Sequence, residues 1–404
     1  MASITLTNVW KIYGKGQNEI EAVTDLSLDV RDGEFLALLG PSGCGKTSTL
    51  RMIAGLEDIT RGEIYIGSRL VNNFHPSERD IAMVFETYAL YQHLSVYDNI
   101  AFPLKVRGLK GGEINAVISK VAETLEIGDI LKRKPTHLSD GQKQRVSIGR
   151  AIVREPSAFL MDEPISHLDL VLRSNMRREI KHLQKDIGIT TVYVTHDQLE
   201  ATTMADRIAV MKLGNLQQLA TPQEIFESPT NTFVGSFVGE PPMNFVEVEV
   251  QKTTNGMVLK RQDFNVEMSN LAITQALQAR TEPRVILGIR PMHIKACASL
   301  VEGSMPGSVY VTETLDEYNI ITVEIGKQRI LVETAPEFCP KPDEIVWLFF
   351  PEEKLHFFDL HTGQRICSHR RTGLKGCTND NEYNRANCVK TINLHLREGA
   401  IWPE

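Results

Sequence analysis

The stretch "EFLALLGPSGCGKTSTLRMIAGL", residues 34–56, decides how the rest of the chain is read. "EFLALLG" (34–40) is an apolar run of strand length that ends in a glycine-rich loop. "GPSGCGKT" (40–47) follows G-x-x-x-x-G-K-[ST], and "STLRMIAGL" continues it as a helix. Strand, loop and helix in that order form the setting in which this pattern cradles phosphates, whereas an ordinary Gly-rich turn needs neither flank. The glycines let the backbone wrap phosphate oxygens. Lys46 brings a positive charge to the β- and γ-phosphates, and Thr47 offers a hydroxyl to Mg²⁺. The expected nucleotide-contacting residues are Gly40, Pro41, Ser42, Gly43, Cys44, Gly45, Lys46, Thr47 and Ser48, with Cys44 a filler at a variable position.

Outward from this loop, short apolar runs alternate with helical patterns to about residue 235, the mark of an α/β layered domain. "SAFLMDEP" (157–164) reads as a strand ending in two acids. Asp162 would face the metal through water, and Glu163 could orient or deprotonate an attacking water. Two acids at a strand end mean little alone; beside an upstream phosphate loop they complete a nucleotide site. "TTVYVTHD" (190–197) delivers His196 to the same edge, because parallel sheets gather ligands at the carboxyl ends of their strands. There His196 reads as a γ-phosphate sensor rather than a packed core histidine. "RIAVMK" (207–212) is a fourth strand, and Leu168, Leu172, Met176, Ile180, Leu183 and Ile187 form one apolar helical stripe for core packing.

Residues 97–155 read as an inserted helical subdomain. It contains "HLSDGQKQRV" (137–146), where Ser139 is an N-cap and Gln142 completes a capping box. That N-terminus is a seat for an anion, yet Asp140 puts a carboxylate on it. Were the carboxylate to face a phosphate at about 4 Å, repulsion would be about 1 kcal/mol in water and about 4 at an effective dielectric of 20. Turned outward, it would cost little.

"ESPTNTFVGSFVGEPPMN" (227–244), rich in Gly and Pro, marks the end of the first domain. β-leaning runs such as "FVEVEV", "RVILGI" and "NIITVEIG" then predict a small barrel or sandwich over 245–366. Residues 367–404 are polar and without period, and are expected to be poorly ordered and dispensable. The net charge of -7 points to no nucleic acid. No apolar run reaches the roughly 20 residues of a membrane helix. No signal-peptide pattern opens the chain, and the six cysteines form no C-x-x-C pair, so a reducing cytoplasm is the expected compartment.

The phosphate loop, "LSDGQKQRV", "FLMDEP", "SHLD" and "VTHD" occur in the order found in ATP-binding cassette (ABC) ATPases, which the chain resembles over residues 4 to about 366. "HDQLEATTMADRIAVMKLGNLQQLATPQEIFESPTNTFVGSFVGEPPMNF" and "LGIRPMHI" (287–294) resemble the maltose-importer type. The resemblance implies an α/β P-loop cassette over 1–235 with the helical subdomain at 97–155, then an OB-like regulatory domain over 245–366. It implies that Ser139, Gly141 and Gln142 belong to a signature that caps the γ-phosphate of ATP held by a second subunit's phosphate loop. Tyr13 matches the aromatic that stacks on adenine, and Asp169 the acid of the loop crossing the dimer interface. Glu86 stands where the family's metal-ligating glutamine does and is carried over as a ligand of Mg²⁺. Glu86, Asp140 and His167 depart from the usual residues, and the first two bear on turnover more than on nucleotide binding.

What the resemblance implies in function is an ATP-hydrolysing energy-coupling subunit of a sugar or glycerol-phosphate importer. It would sit peripherally on the cytoplasmic face of the membrane. Its partners would be a second cassette, integral permease subunits touched by segment 86–100, and an extracytoplasmic solute-binding protein acting through the permease. A nucleotide-binding regulatory protein with weak hydrolysis is the alternative that Asp140 and Glu86 favour and that intact Lys46, Asp162, Glu163 and His196 oppose. A soluble ABC ATPase of translation or repair is a third; it would carry two cassettes or long coiled coils, which are not visible here.

Overall fold

In the computed structural model, which describes residues 2–253, 256–262, 264–268, 274, 277, 280 and 282–367, the chain begins with β1 (Ile4–Tyr13), β2 (Ile20–Val30), β3 (Phe35–Leu39) and α1 (Lys46–Ala54). β4 (Arg61–Ile66), β5 (Arg69–Leu70) and β6 (Ile81–Val84) follow. Three helices come next: α2 (Val96–Val106), α3 (Gly111–Thr124) and α4 (Asp140–Ile152). The layered pattern resumes with β7 (Ala158–Asp162), α5 (Leu170–Ile187), β8 (Thr190–Thr195), α6 (Gln198–Met204), β9 (Arg207–Lys212) and β10 (Asn215–Ala220). Two short helices, α7 (Pro222–Glu227) and α8 (Thr232–Phe237), end this part.

The central sheet has the order β10-β9-β3-β8-β7-β6, parallel except for β10. Every residue of β3, β7 and β8 is buried, because both faces of the sheet are covered. One face packs on α1 and a second sheet, β2-β1-β4-β5, through Leu36, Leu38, Leu160, Val192 and their neighbours. The other packs on the helices through Phe35, Phe159, Met161 and Tyr193. In α5, Asp169 caps the first turn by accepting from Leu172 N at 3.0 Å, and Gly188 ends the helix in the left-handed region. Met176, Ile180 and Leu183 of the expected stripe are buried along it, each contributing roughly 1.5–3 kcal/mol of apolar burial. Leu168 is buried too, but in the loop before the helix rather than on it.

The Gly- and Pro-rich segment 227–244 is more than a linker, because α8 lies inside it, and Val234 of α8 and Val238 just past it pack against Ala37, Ile208 and Val210. The strands beyond are β11 (Asn244–Thr253), β12 (Gly256–Arg261), β13 (Phe264–Met268), β14 (Arg284–Ile289), β15 (Lys295–Cys297) and β16 (Met305–Thr314). They continue as β17 (Asn319–Ile325), β18 (Gln328–Thr334), β19 (Ile345–Phe349), β20 (His356–Asp359) and β21 (Arg365–Cys367). They form two sheets, β13-β12-β11-β14-β20-β21 and β15-β19-β16-β17-β18, around one shared core. The segment expected to be poorly ordered lies outside the described residues from 368 onward.

One buried cation joins the two parts. Arg290, just past β14, is 1% exposed and donates to the carbonyls of Phe226 at 3.1 Å, Gly235 at 3.0 Å and Val238. Its guanidinium also lies 4.2 Å from the centre of the Phe226 ring. The last carbonyls of α7 and α8 lack intrahelical partners and carry partial negative charge, so a fixed cation satisfies both helix ends at once. Burial pushes the Arg290 pKa down to about 10, which leaves it charged at neutral pH. Arg290→Met is expected to cost about 2–4 kcal/mol by stranding these carbonyls. Thermal denaturation would measure it, and an unchanged Tm would rule out the clamp.

Candidate active site

The parallel register brings the loops after β3, β6, β7 and β8 to one sheet edge. After β3, Gly43 and Gly45 take φ of 77° and 99°. A Cβ at Gly45 would stand 2.3 Å from the Ala22 carbonyl, so only glycine lets the loop lie this close to β2. Lys46 starts α1 and is 4% exposed. Its Nζ turns back into its own loop, donating to the carbonyls of Gly40 at 2.8 Å and Pro41 at 3.1 Å. Tyr13, at the end of β1, donates to Ser48 Oγ at 3.3 Å, which sets its ring beside the loop.

Asp162 ends β7 and is 8% exposed. It accepts from Thr47 Oγ1 at 3.1 Å. Burial raises its pKa; the charges of Glu163 and Glu86 act in the same direction, and Thr47 and Arg51 oppose them. No cation lies within ion-pair distance of this carboxylate among the described residues. A buried carboxylate and a hydroxyl, with no cation in ion-pair contact, are a donor set of hard oxygens that fits Mg²⁺.

Glu163 follows in the left-handed region, φ 44°, held by its N–H on the Val194 carbonyl at 3.1 Å. The outlier aims its side chain at the next loop, where Oε2 lies 2.9 Å from His196 Nδ1. Behind this pair, Asp197 caps α6, Arg173 Nη1 meets Asp197 at 3.3 Å, and Arg173 Nη2 donates to the Ser166 and Leu168 carbonyls. Arg173 therefore ties the loop bearing Glu163 to the loop bearing His196. No motif marks Arg173, which lies in the first turn of α5 and reads as solvated until the fold is known, whereas Asp197 closes the "VTHD" run.

The signature residues stand elsewhere. Ser139 Oγ accepts from Gln142 N at 3.3 Å, and Ser139 N donates to Gln142 Oε1 at 3.1 Å, the reciprocal cap the spacing predicts. A Cβ on Gly141 would meet Leu172 at 2.9 Å, so α4 packs closely on the start of α5. Among the described residues no side-chain hydrogen bond or ion pair joins Ser139, Gly141 or Gln142 to residues 40–48. Asp140 leans along its helix to Lys143 Nζ at 2.9 Å. Lys143, which the motif reading passed over, thus offsets the carboxylate on the anion seat. Lys143→Gln is expected to expose that charge and weaken ATP-dependent dimerisation several-fold, since uncompensated repulsion of about 1–4 kcal/mol exceeds the few tenths the surface pair contributes. Adding Asp140→Gly should restore it; sedimentation with ATP checks both, and no loss in Lys143→Gln would mean that the seat ignores Asp140.

Glu86, expected at the metal, makes no hydrogen bond to Thr47 or Asp162. Its Oε1 lies instead 3.3 Å from His167 Nε2.

Comparison with known proteins gives this geometry its relatives. The ABC transporter model matches residues 23–166, and the MalK OB fold domain model matches residues 239–294. The trehalose/maltose import ATP-binding protein MalK of Thermococcus litoralis is 46% identical, over 91% of this chain and 100% of its own. The sn-glycerol-3-phosphate import ATP-binding protein UgpC of Cupriavidus metallidurans is 43% identical, over 91% of this chain and 99% of its own. A dimeric ATP-binding cassette solved in a post-hydrolysis state with ADP and Pi is similar with a TM-score of 0.50 and 31% identity, over 54% of this chain and 98% of that one. The chain therefore belongs to the ABC transporter family, within its group of import ATP-binding proteins, and is an ATPase of the ABC type.

Proposed function

We infer that this chain hydrolyses ATP to drive a membrane importer of sugars or of sugar- and glycerol-phosphate-like solutes. The observation that carries the reading is the single sheet edge on which Lys46, Thr47, Asp162, Glu163 and His196 meet. ATP is the substrate, its phosphates wrapped by residues 40–48, with Lys46 exchanging its own loop's carbonyls for phosphate oxygens. Tyr13 is placed to stack on the base. Thr47 and Asp162 are the pair that would hold Mg²⁺, whose role when bound is to withdraw charge from the phosphate oxygens. Glu163 takes a proton from the attacking water, and His196 fixes the carboxylate through Oε2 while lying at the edge where the γ-phosphate ends. Water oxygen bonds to the γ-phosphorus as the bridging bond to ADP breaks.

Ser139 and Gln142, which among the described residues share no side-chain hydrogen bond or ion pair with residues 40–48, are available to a closed dimer in which the signature of one copy completes the site of another. The similar cassette solved as a dimer with ADP and Pi supports dimer formation. Leu170 and Val171, 81% and 74% exposed beside Asp169, supply apolar surface for that interface. A groove of about 510 Å³ lined by Tyr91, Phe102, Pro103, Val106, Arg107 and Arg150 supports docking of permease subunits beside segment 86–100. A solute-binding protein would act on the far side of the permease, and the chain would lie on the cytoplasmic face. No helix among the described residues is long and apolar enough to cross a membrane, so attachment would run through that groove. Co-purification of the tagged chain with integral membrane proteins, and its loss in Phe102→Asp, tests the importer reading. A chain that co-purifies only with soluble partners would overturn it.

A further inference from the structure

Two carboxylate–imidazole pairs stand on the active edge. Glu163 with His196 serves the chemistry above. The second, Glu86 with His167, has no part in it. Its members come from different loops: Glu86 is two residues past β6, and His167 lies between β7 and α5. β6 and β7 pair in parallel with Val84 opposite Met161, so both loops leave the sheet side by side. That pairing sets Glu86 and Asp162 at the ends of adjacent strands. The edge thus carries three carboxylates, Glu86, Asp162 and Glu163, where the phosphates of ATP add further negative charge.

The segment that follows Glu86 is held firmly. Tyr88 and Ala89 lie in the left-handed region, φ 60° and 48°. Their carbonyls accept from α4: Tyr88 from Ser147 Oγ at 2.9 Å and Arg150 Nη2 at 3.3 Å, Ala89 from Arg150 Nη1 at 2.7 Å. With the backbone two and three residues beyond it pinned, Glu86 meets the imidazole of His167 at the edge that also carries Asp162. Glu86 and His167 are each about half exposed. An exposed pair of this kind is weak, so the imidazole can bias the carboxylate without locking it.

We propose that His167 is a positioning residue that holds the Glu86 carboxylate off the Thr47–Asp162 metal site. Without His167 the carboxylate swings to the metal as an additional ligand. Metal binding then tightens, and a fixed negative charge sits next to the γ-phosphate and slows the attack of water. The inference rests on the assignment of Thr47 and Asp162 to Mg²⁺ made above.

The test is a double-mutant cycle on the full chain: wild type, His167→Asn, Glu86→Gln and the double variant. Mn²⁺ binding is followed by electron paramagnetic resonance with a non-hydrolysable ATP analogue, alongside kcat, KM and Tm. His167→Asn is expected to tighten Mn²⁺ binding about fivefold, the scale of one exposed ion pair, and to lower kcat with little change in Tm. In the Glu86→Gln background the same substitution should change Mn²⁺ affinity and kcat by less than about twofold, because no carboxylate remains to be held. No change, a weaker affinity, or an equal shift in both backgrounds would overturn the proposal. Asp162→Asn tests the underlying assignment separately: if it keeps full Mn²⁺ affinity, the metal site is wrong whatever His167 does.

Discussion

Lys46→Ala is expected to cut ATP turnover about a hundredfold or more and to weaken ATP binding, because the phosphates lose a buried, preorganised cation. The side chain is 4% exposed, so its charge acts in a medium of low effective dielectric. Its Nζ donates to the Gly40 and Pro41 carbonyls, which holds the charge within the phosphate loop. Removing it also leaves those carbonyls without that donor, so a modest fall in Tm should accompany the functional loss. Fluorescence-detected nucleotide binding and a steady-state phosphate-release assay measure the two effects. Hydrolysis at the parental rate in a folded Lys46→Ala protein would sink the phosphate-loop assignment.

Glu163→Gln is expected to reduce turnover by about a hundredfold to ten-thousandfold while leaving nucleotide binding intact. Glutamine has the same shape and can still meet His196 Nδ1 through its side-chain oxygen, but it cannot take a proton from water. With both phosphate clamps in place and no hydrolysis to reopen them, the ATP-bound dimer should accumulate. Size-exclusion chromatography with ATP and Mg²⁺ should then show a shift from monomer to dimer that the parent lacks. Near-parental turnover in this variant would remove Glu163 from the role of base.

The parts of the site legible in the sequence are those that one contiguous stretch supplies. Gly40–Thr47, the Asp162–Glu163 pair and the Ser139–Gln142 cap each form within a few residues, so their spacing along the chain is already their geometry. The central strands were legible for a similar reason: β3, β7 and β8 are buried on both faces and read as short runs of apolar and β-branched residues. β1 and β2 were not. Their alternating patterns, broken by the irregular register between Leu6 and Ile12, give no run to see. The helix in 227–244 was hidden because it is only Thr232–Phe237, contains Gly235 and is flanked by prolines; Val234 packs on Ala37 and Ile208, and Arg290 donates to the Gly235 carbonyl.

Sequence alone determined which residue types line the nucleotide site and in what order, since the motifs carry their own backbone requirements. Tertiary structure alone decided which of them meet. Thr47 reaches Asp162 across 115 positions, and Arg173 couples Ser166 to Asp197 from the first turn of α5. Glu86 meets His167 from the loop after the neighbouring strand. Each of these is a choice among partners of similar chemistry. The parallel register of β6, β7 and β8 and the packing of α4 on α5 settle the distances, and at these separations a difference of a few ångströms outweighs any preference written in residue type.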